Sequence, residues 1–155
     1  MVANYNVMGV AKAAEVIIAI QKAIAEAKDN DDVVLYKNLS LEETLTIPAD
    51  KNITLNLNGK TITGTDNNTT GNFYLINNNR GNLTIVDNSA EKTGKITLKA
   101  TTERNWNSSS VVVANNLGTV TVKGGTIKHS GGTSMAYGID NLTNGANTVA
   151  TLNIE

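Results

Sequence analysis

At 155 residues the chain can build one domain with a continuous core, and its 13 Lys and Arg against 14 Asp and Glu leave no charge excess to attract nucleic acid. It has no cysteine, which removes disulfides, thiolate metal sites and cysteine nucleophiles together. One Phe, one Trp, one Pro and one His stand against 13 Gly, so aromatics cannot fill the interior and stacked Ile, Leu and Val have to.

Residues 1–10 carry no charged side chain and no clear periodicity. Tyr5, Val7, Met8 and Val10 would otherwise stand in water, so the segment reads as a docking arm as readily as a frayed terminus. The apolar stretch from Val16 to Ile20 is too short, and too closely flanked by Glu15 and Lys22, for a secretory leader. If Met1 is the native start, export by the usual route is not expected. No run of about 18 apolar residues is present, so membrane insertion is not expected either.

Residues 11–28 form the one predicted helix, Ala-rich and free of Gly and Pro. Ala13, Val16, Ile17, Ile20, Ile24 and Ala27 recur at spacings of three and four and make one apolar stripe. The polar turn Asp29-Asn30-Asp31-Asp32 ends it. A lone stripe needs a surface to cover, and the strands that follow are the candidate.

From Val33 onward the period becomes two. A threonine sits between aliphatics at Leu45-Thr46-Ile47, Ile53-Thr54-Leu55, Leu83-Thr84-Ile85, Ile96-Thr97-Leu98 and Val120-Thr121-Val122, and Leu152-Asn153-Ile154 repeats the pattern with Asn. Each triplet predicts a short strand, aliphatics inward and hydroxyl outward. Between them lie Asn-Gly, Gly-Gly and Asn clusters that permit left-handed backbone. A longer repeat also emerges, in which an aliphatic strand ends on a polar pair: Asn77-Asn78, Asn115-Asn116 and Asp140-Asn141. Repeated short strands without intervening helices signal a solenoid, whose stacked coils would let these corner amides bond in a ladder.

With the helix ahead of them, residues 32–36 (DVVLY) and 45–62 (LTIPADKNITLNLNGKTI) resemble the entry to pectate-lyase-like right-handed parallel β-helices, and residues 124–127 (GGTI) are similar to their later rungs. The resemblance covers residues 11–155. It implies an all-β, right-handed parallel β-helix (solenoid) over 33–155, an N-terminal capping α-helix over 11–28, and a separate arm over 1–10. Coils of this family serve lyases, bacterial surface proteins and phage fibres alike. A short attachment segment ahead of the coils is similar to phage head-fibre and tail-fibre proteins. The expectation is therefore a non-enzymatic virion protein, assembled in the host cytoplasm as a homotrimer and docked on a capsid or tail protein through its arm. A bacterial surface adhesin or carbohydrate-binding module is the alternative, and a polysaccharide lyase or hydrolase ranks below both.

Catalysis in such a fold needs clustered carboxylates. Asp50, Asp66, Asp87, Glu91, Glu103 and Asp140 are scattered singly among loops, where solvated carboxylates are the ordinary expectation. His129 reads as an outward residue at a strand end, and without a second His or Cys it seeds no familiar zinc site. No metal or cofactor is expected. Arg104 and Trp106 share a loop and are candidates for contact with a cell-surface glycan or a partner, although Trp106 is better placed to cover a gap in the solenoid wall. The pairs Thr44/Thr46, Thr61/Thr63 and Thr119/Thr121 read as ordinary strand filling. Residues 152–155 resemble the opening strand of a further rung, so a continuation or a covering partner is expected there.

Overall fold

The structure is a computed structural model that describes residues 13–103, 105, 107–132, 135–143 and 148–155, the first four of these by backbone alone. Helix α1 (Ala13–Glu26) comes first. A coil of three short strands follows: β1 (Asp31–Val34), β2 (Leu39–Leu41) and β3 (Leu45–Ile47). The second coil is β4 (Asn52–Asn56), β5 (Thr61–Asp66) and β6 (Phe73–Asn79). The third is β7 (Asn82–Val86), β8 (Lys95–Ala100) and β9 (Ser110–Asn116). The fourth is β10 (Thr119–Val122), β11 (Thr126–Ser130) and β12 (Ala136–Leu142), and β13 (Thr151–Ile154) begins another turn.

Every third strand pairs in parallel, which yields three sheets: β1-β4-β7-β10-β13, β2-β5-β8-β11 and β3-β6-β9-β12. The result is a parallel β-solenoid-like fold. Its order follows from the triplets. Ile53, Leu83, Val120 and Leu152 lie in register in the first sheet, beside the columns Thr54-Thr84-Thr121-Asn153 and Leu55-Ile85-Val122-Ile154. Period-two alternation turns both aliphatic columns inward and leaves the hydroxyl column half-exposed. The other two triplets fall elsewhere, Leu45-Thr46-Ile47 in β3 and Ile96-Thr97-Leu98 in β8. Each fully buried Leu or Ile adds about 1.5–3 kcal/mol of burial, and here each rests on the residue one coil away.

The apolar stripe of α1 is used. Ile20 and Ile24 are fully buried, and with Ile17, Ala23 and Ala27 they join the same core as the coils. Gln21 presents its amide to β3 as a peptide would: Nε2 donates to the Thr46 carbonyl at 2.7 Å and Oε1 accepts from the Thr46 N–H at 3.0 Å. Lys51 Nζ donates to the Ala25 and Ala27 carbonyls at 2.8 and 2.7 Å, so a cation from the turn before β4 satisfies orphan groups at the helix C-terminus.

Two local expectations are corrected. The first strand starts at Asp31, not Val33, because Asp31 and Asp32 already pair with Ile53 and Thr54. Only Asp29 and Asn30 make the turn, with Asn30 at φ 66° and Asp31 Oδ2 accepting from the Lys28 N–H. The second correction concerns the asparagine corners. The left-handed residues there are Arg80 (φ 64°) and Leu117 (φ 59°), not the asparagines, whose backbone stays in β6 and β9 instead.

Candidate functional site

The corner between the β3-β6-β9-β12 sheet and the next coil holds buried amides. Strand register stacks Asn78 on Asn115 and Asn115 on Asn141. Asn78 Nδ2 donates to Asn115 Oδ1 at 2.8 Å, and Asn115 Nδ2 donates to Asn141 Oδ1 at 2.6 Å. The same amides also reach backbone: Asn78 to the Gly81 and Thr119 carbonyls, Asn115 to those of Gly118 and Thr151, and Asn141 to that of Ala150. Asn78 and Asn115 therefore each tie their own turn to the next coil, while Asn141 braces its own turn. Asn78 and Asn115 are fully buried, where an unmade hydrogen bond is expensive.

The ladder takes one residue from each pair. Asn77 stands in register with Ala114 and Asp140, and Asn116 with Asn79 and Leu142, so these members of the pairs do not stack as the sequence repeat aligned them. The column also has a direction, with Nδ2 pointing toward the later coil at each step. At its lower end Asn78 meets Ile47, which offers no donor, and Asn78 Oδ1 is buried without a partner among the described residues. Asn77 Oδ1 is likewise unpartnered.

A second polar cluster surrounds Asp87, just past β7. Its Oδ1 accepts from the Gly59 N–H at 2.8 Å, the Ser89 N–H at 3.2 Å and the Ser89 hydroxyl at 2.8 Å, and its Oδ2 accepts from the Gly94 N–H at 2.6 Å. Burial by itself would raise this carboxyl. The donors from Gly94, Ser89 and Gly59 outweigh burial and bring it from 3.8 to about 2. Asp66 is also buried, with Oδ1 accepting from the Asn68 N–H at 3.1 Å. These two acids are thus not solvated. Asp66 ends β5 and Asp87 directly follows β7, and each folds its carboxylate onto the amide two residues later, the turn motif natural to Asp and Asn.

His129 also differs from expectation. Its register partner is the buried Leu98, on the inward face it shares with Ile127, so the ring points into the top of the solenoid and is half-buried. Its Nε2 lies 3.0 Å from Ser110 Oγ. A Ser–His contact is the first link of a nucleophile–base relay, but Ser110 is fully buried and its hydroxyl faces the interior. Among the described residues, no three His, Cys, Asp or Glu side chains converge as metal ligands. Tyr5, Val7, Met8 and Val10, and also Arg104 and Trp106, lie outside the described residues.

Open hollows are also found among the described residues. One, of about 360 Å³, is apolar and runs along α1 between Ile17, Ile18, Ala25 and Thr44. Another, of about 380 Å³, is polar and lies between Ser40 of β2, Glu42 just past it, and the end of β5 at Thr65 and Asn67. The loop after β8 is stacked on the segment just past it, through Thr102 Oγ1 on the Asn68 carbonyl and the Asn105 N–H on that of Thr69. No family model, curated protein or solved structure matches the chain.

Proposed function

We propose that the protein is a non-enzymatic structural element: the shaft of a phage head or tail fibre, with right-handed coils, α1 capping the first of them, and residues 1–10 docking on a capsid or tail protein. The observation that carries the structural half is the coil-to-coil column Asn78-Asn115-Asn141. It places buried amides along the solenoid axis and ties successive turns to one another, which suits a shaft that transmits load. The half-exposed threonine column and the absence of a charge excess suit a neutral rod surface. The virion half rests on the sequence resemblance and on the uncharged segment ahead of the helix.

The test is to purify particles from infected host cells and cross-link them before mass spectrometry. The reading expects this chain in the particle fraction, with residues 1–10 joined to a capsid or tail subunit and a trimeric mass for the released protein. Recovery from the host envelope alone would overturn it, and cleavage of any polysaccharide would overturn its non-enzymatic half. A surface adhesin or carbohydrate-binding module is the second reading. It is favoured by the polar hollow lined by Ser40, Glu42, Thr65 and Asn67.

A further inference from the structure

The turn after β4 contains Asn58-Gly59, one of two Asn-Gly steps in the chain. Both residues are left-handed, at φ 49° and 72°. Such a turn favours Asn first, because its short side chain tolerates this conformation, and Gly second. Space favours the glycine as well, since a Cβ at position 59 would crowd both Cβ and Oγ of Ser89 at 3.2 Å. The fold therefore places at this corner the dipeptide most prone to deamidate. In that reaction the Gly59 backbone nitrogen loses its proton and attacks Asn58 Cγ. The Cγ–Nδ2 bond breaks, Nδ2 leaves as ammonia with the displaced proton, and water opens the succinimide to aspartate or isoaspartate.

Both reacting atoms are already engaged. The Gly59 N–H donates to Asp87 Oδ1 at 2.8 Å, from the next coil, and Asn58 Nδ2 donates to the Leu35 carbonyl at 3.0 Å, from the previous one. The Asn58 N–H is held by Asn56 Oδ1 at 3.0 Å, which fixes the turn from its own coil. Asp87 is in turn held by Ser89 and Gly94, so the carboxylate that meets Gly59 cannot swing away. We infer that Asn58-Gly59 is a latent deamidation site, which stacking of the neighbouring coils holds unreacted with Asp87 as its lock. The inference goes beyond the proposed function and stands whether or not the protein belongs to a virion.

The experiment follows aspartate and isoaspartate at position 58 by peptide mass spectrometry during incubation at neutral pH, with circular dichroism reporting the fold. In the native chain, Asn58 should react roughly tenfold to a hundredfold more slowly than in the same chain unfolded in urea, the ratio expected when a charge-assisted hydrogen bond on the attacking N–H must first break. Asn144-Gly145 provides a second Asn-Gly rate from the same digests. Folded Asp87→Ala should lose most of the protection at position 58. Asp87→Asn, which keeps an acceptor oxygen but no charge, should lose less of it and shows the lock even if the alanine variant does not fold. Equal Asn58 rates in native and urea-unfolded protein would overturn the inference. So would an unchanged rate in folded Asp87→Ala or, should that variant not fold, in Asp87→Asn.

Discussion

The two ends of the solenoid treat the same kind of aliphatic strand differently. At the α1 end, Leu45 and Ile47 of β3 are fully buried beneath a helix whose Gln21 bonds both backbone groups of Thr46. At the other end, β11, β12 and β13 pair on one side only among the described residues, and Ile154 is 74% exposed although its column mates Leu55 and Ile85 are buried. Val122, one coil in, is intermediate. The difference teaches that burial here belongs to a residue's neighbours in the stack more than to its own side chain. Stability should then follow nearest-neighbour rules, coil by coil.

The largest test of that contrast sets a charge at each end. Ile24→Asp should cost about 4 kcal/mol or more, because it buries an unpaired carboxylate. Ile154→Asp should cost less than about 0.5 kcal/mol. Urea titration of the two variants reads the difference directly. Next come the ladder residues. Asn115→Ala removes bonds to Asn78, Asn141, Gly118 and Thr151 and should cost about 2–3 kcal/mol, whereas Asn141→Ala, nearer the open edge, should cost about 1 kcal/mol.

Between the ends, Asp87 makes stability depend on pH. Its folded pKa of about 2 lies below the ordinary 3.8, so its contribution is complete above 3.8 and is lost as the pH falls through 2. The shift corresponds to about 2 kcal/mol. Urea midpoints measured between neutral pH and pH 2 should fall more steeply for the native chain than for Asp87→Ala. The last test is the helix contact: Gln21→Ala should cost about 1 kcal/mol, and Gln21→Glu should not restore it, since the carboxylate cannot donate to Thr46.

The strands, the amphipathic stripe and the coil repeat were legible because each is a periodicity, written one residue at a time in patterns such as Ile53-Thr54-Leu55. Register between coils was not. Aligning Asn77 with Asn115 keeps every polar pair together, yet the structure moves the match by one, since Tyr74 pairs with Val111 and Asn78 then falls on Asn115. The inward turn of His129 was available from parity with Ile127, two residues before it, but its place at a strand end concealed it. The burial of Asp66 and Asp87 left a fainter trace, an Asp at a strand end with a polar residue two positions on. Ser89 and Gly94 hold Asp87 from its own turn, but Gly59 lies far from it in sequence and reaches it only through coil stacking.

The ladder gives the most direct measurement of the stacked architecture. Nuclear Overhauser contacts among side-chain amides, assigned in protein with labelled asparagine, should link Asn78 to Asn115 and Asn115 to Asn141, with none between Asn77 and Asn115. Contacts joining Asn77 to Asn115, or no contacts between coils at all, would contradict the register on which this account of the fold depends.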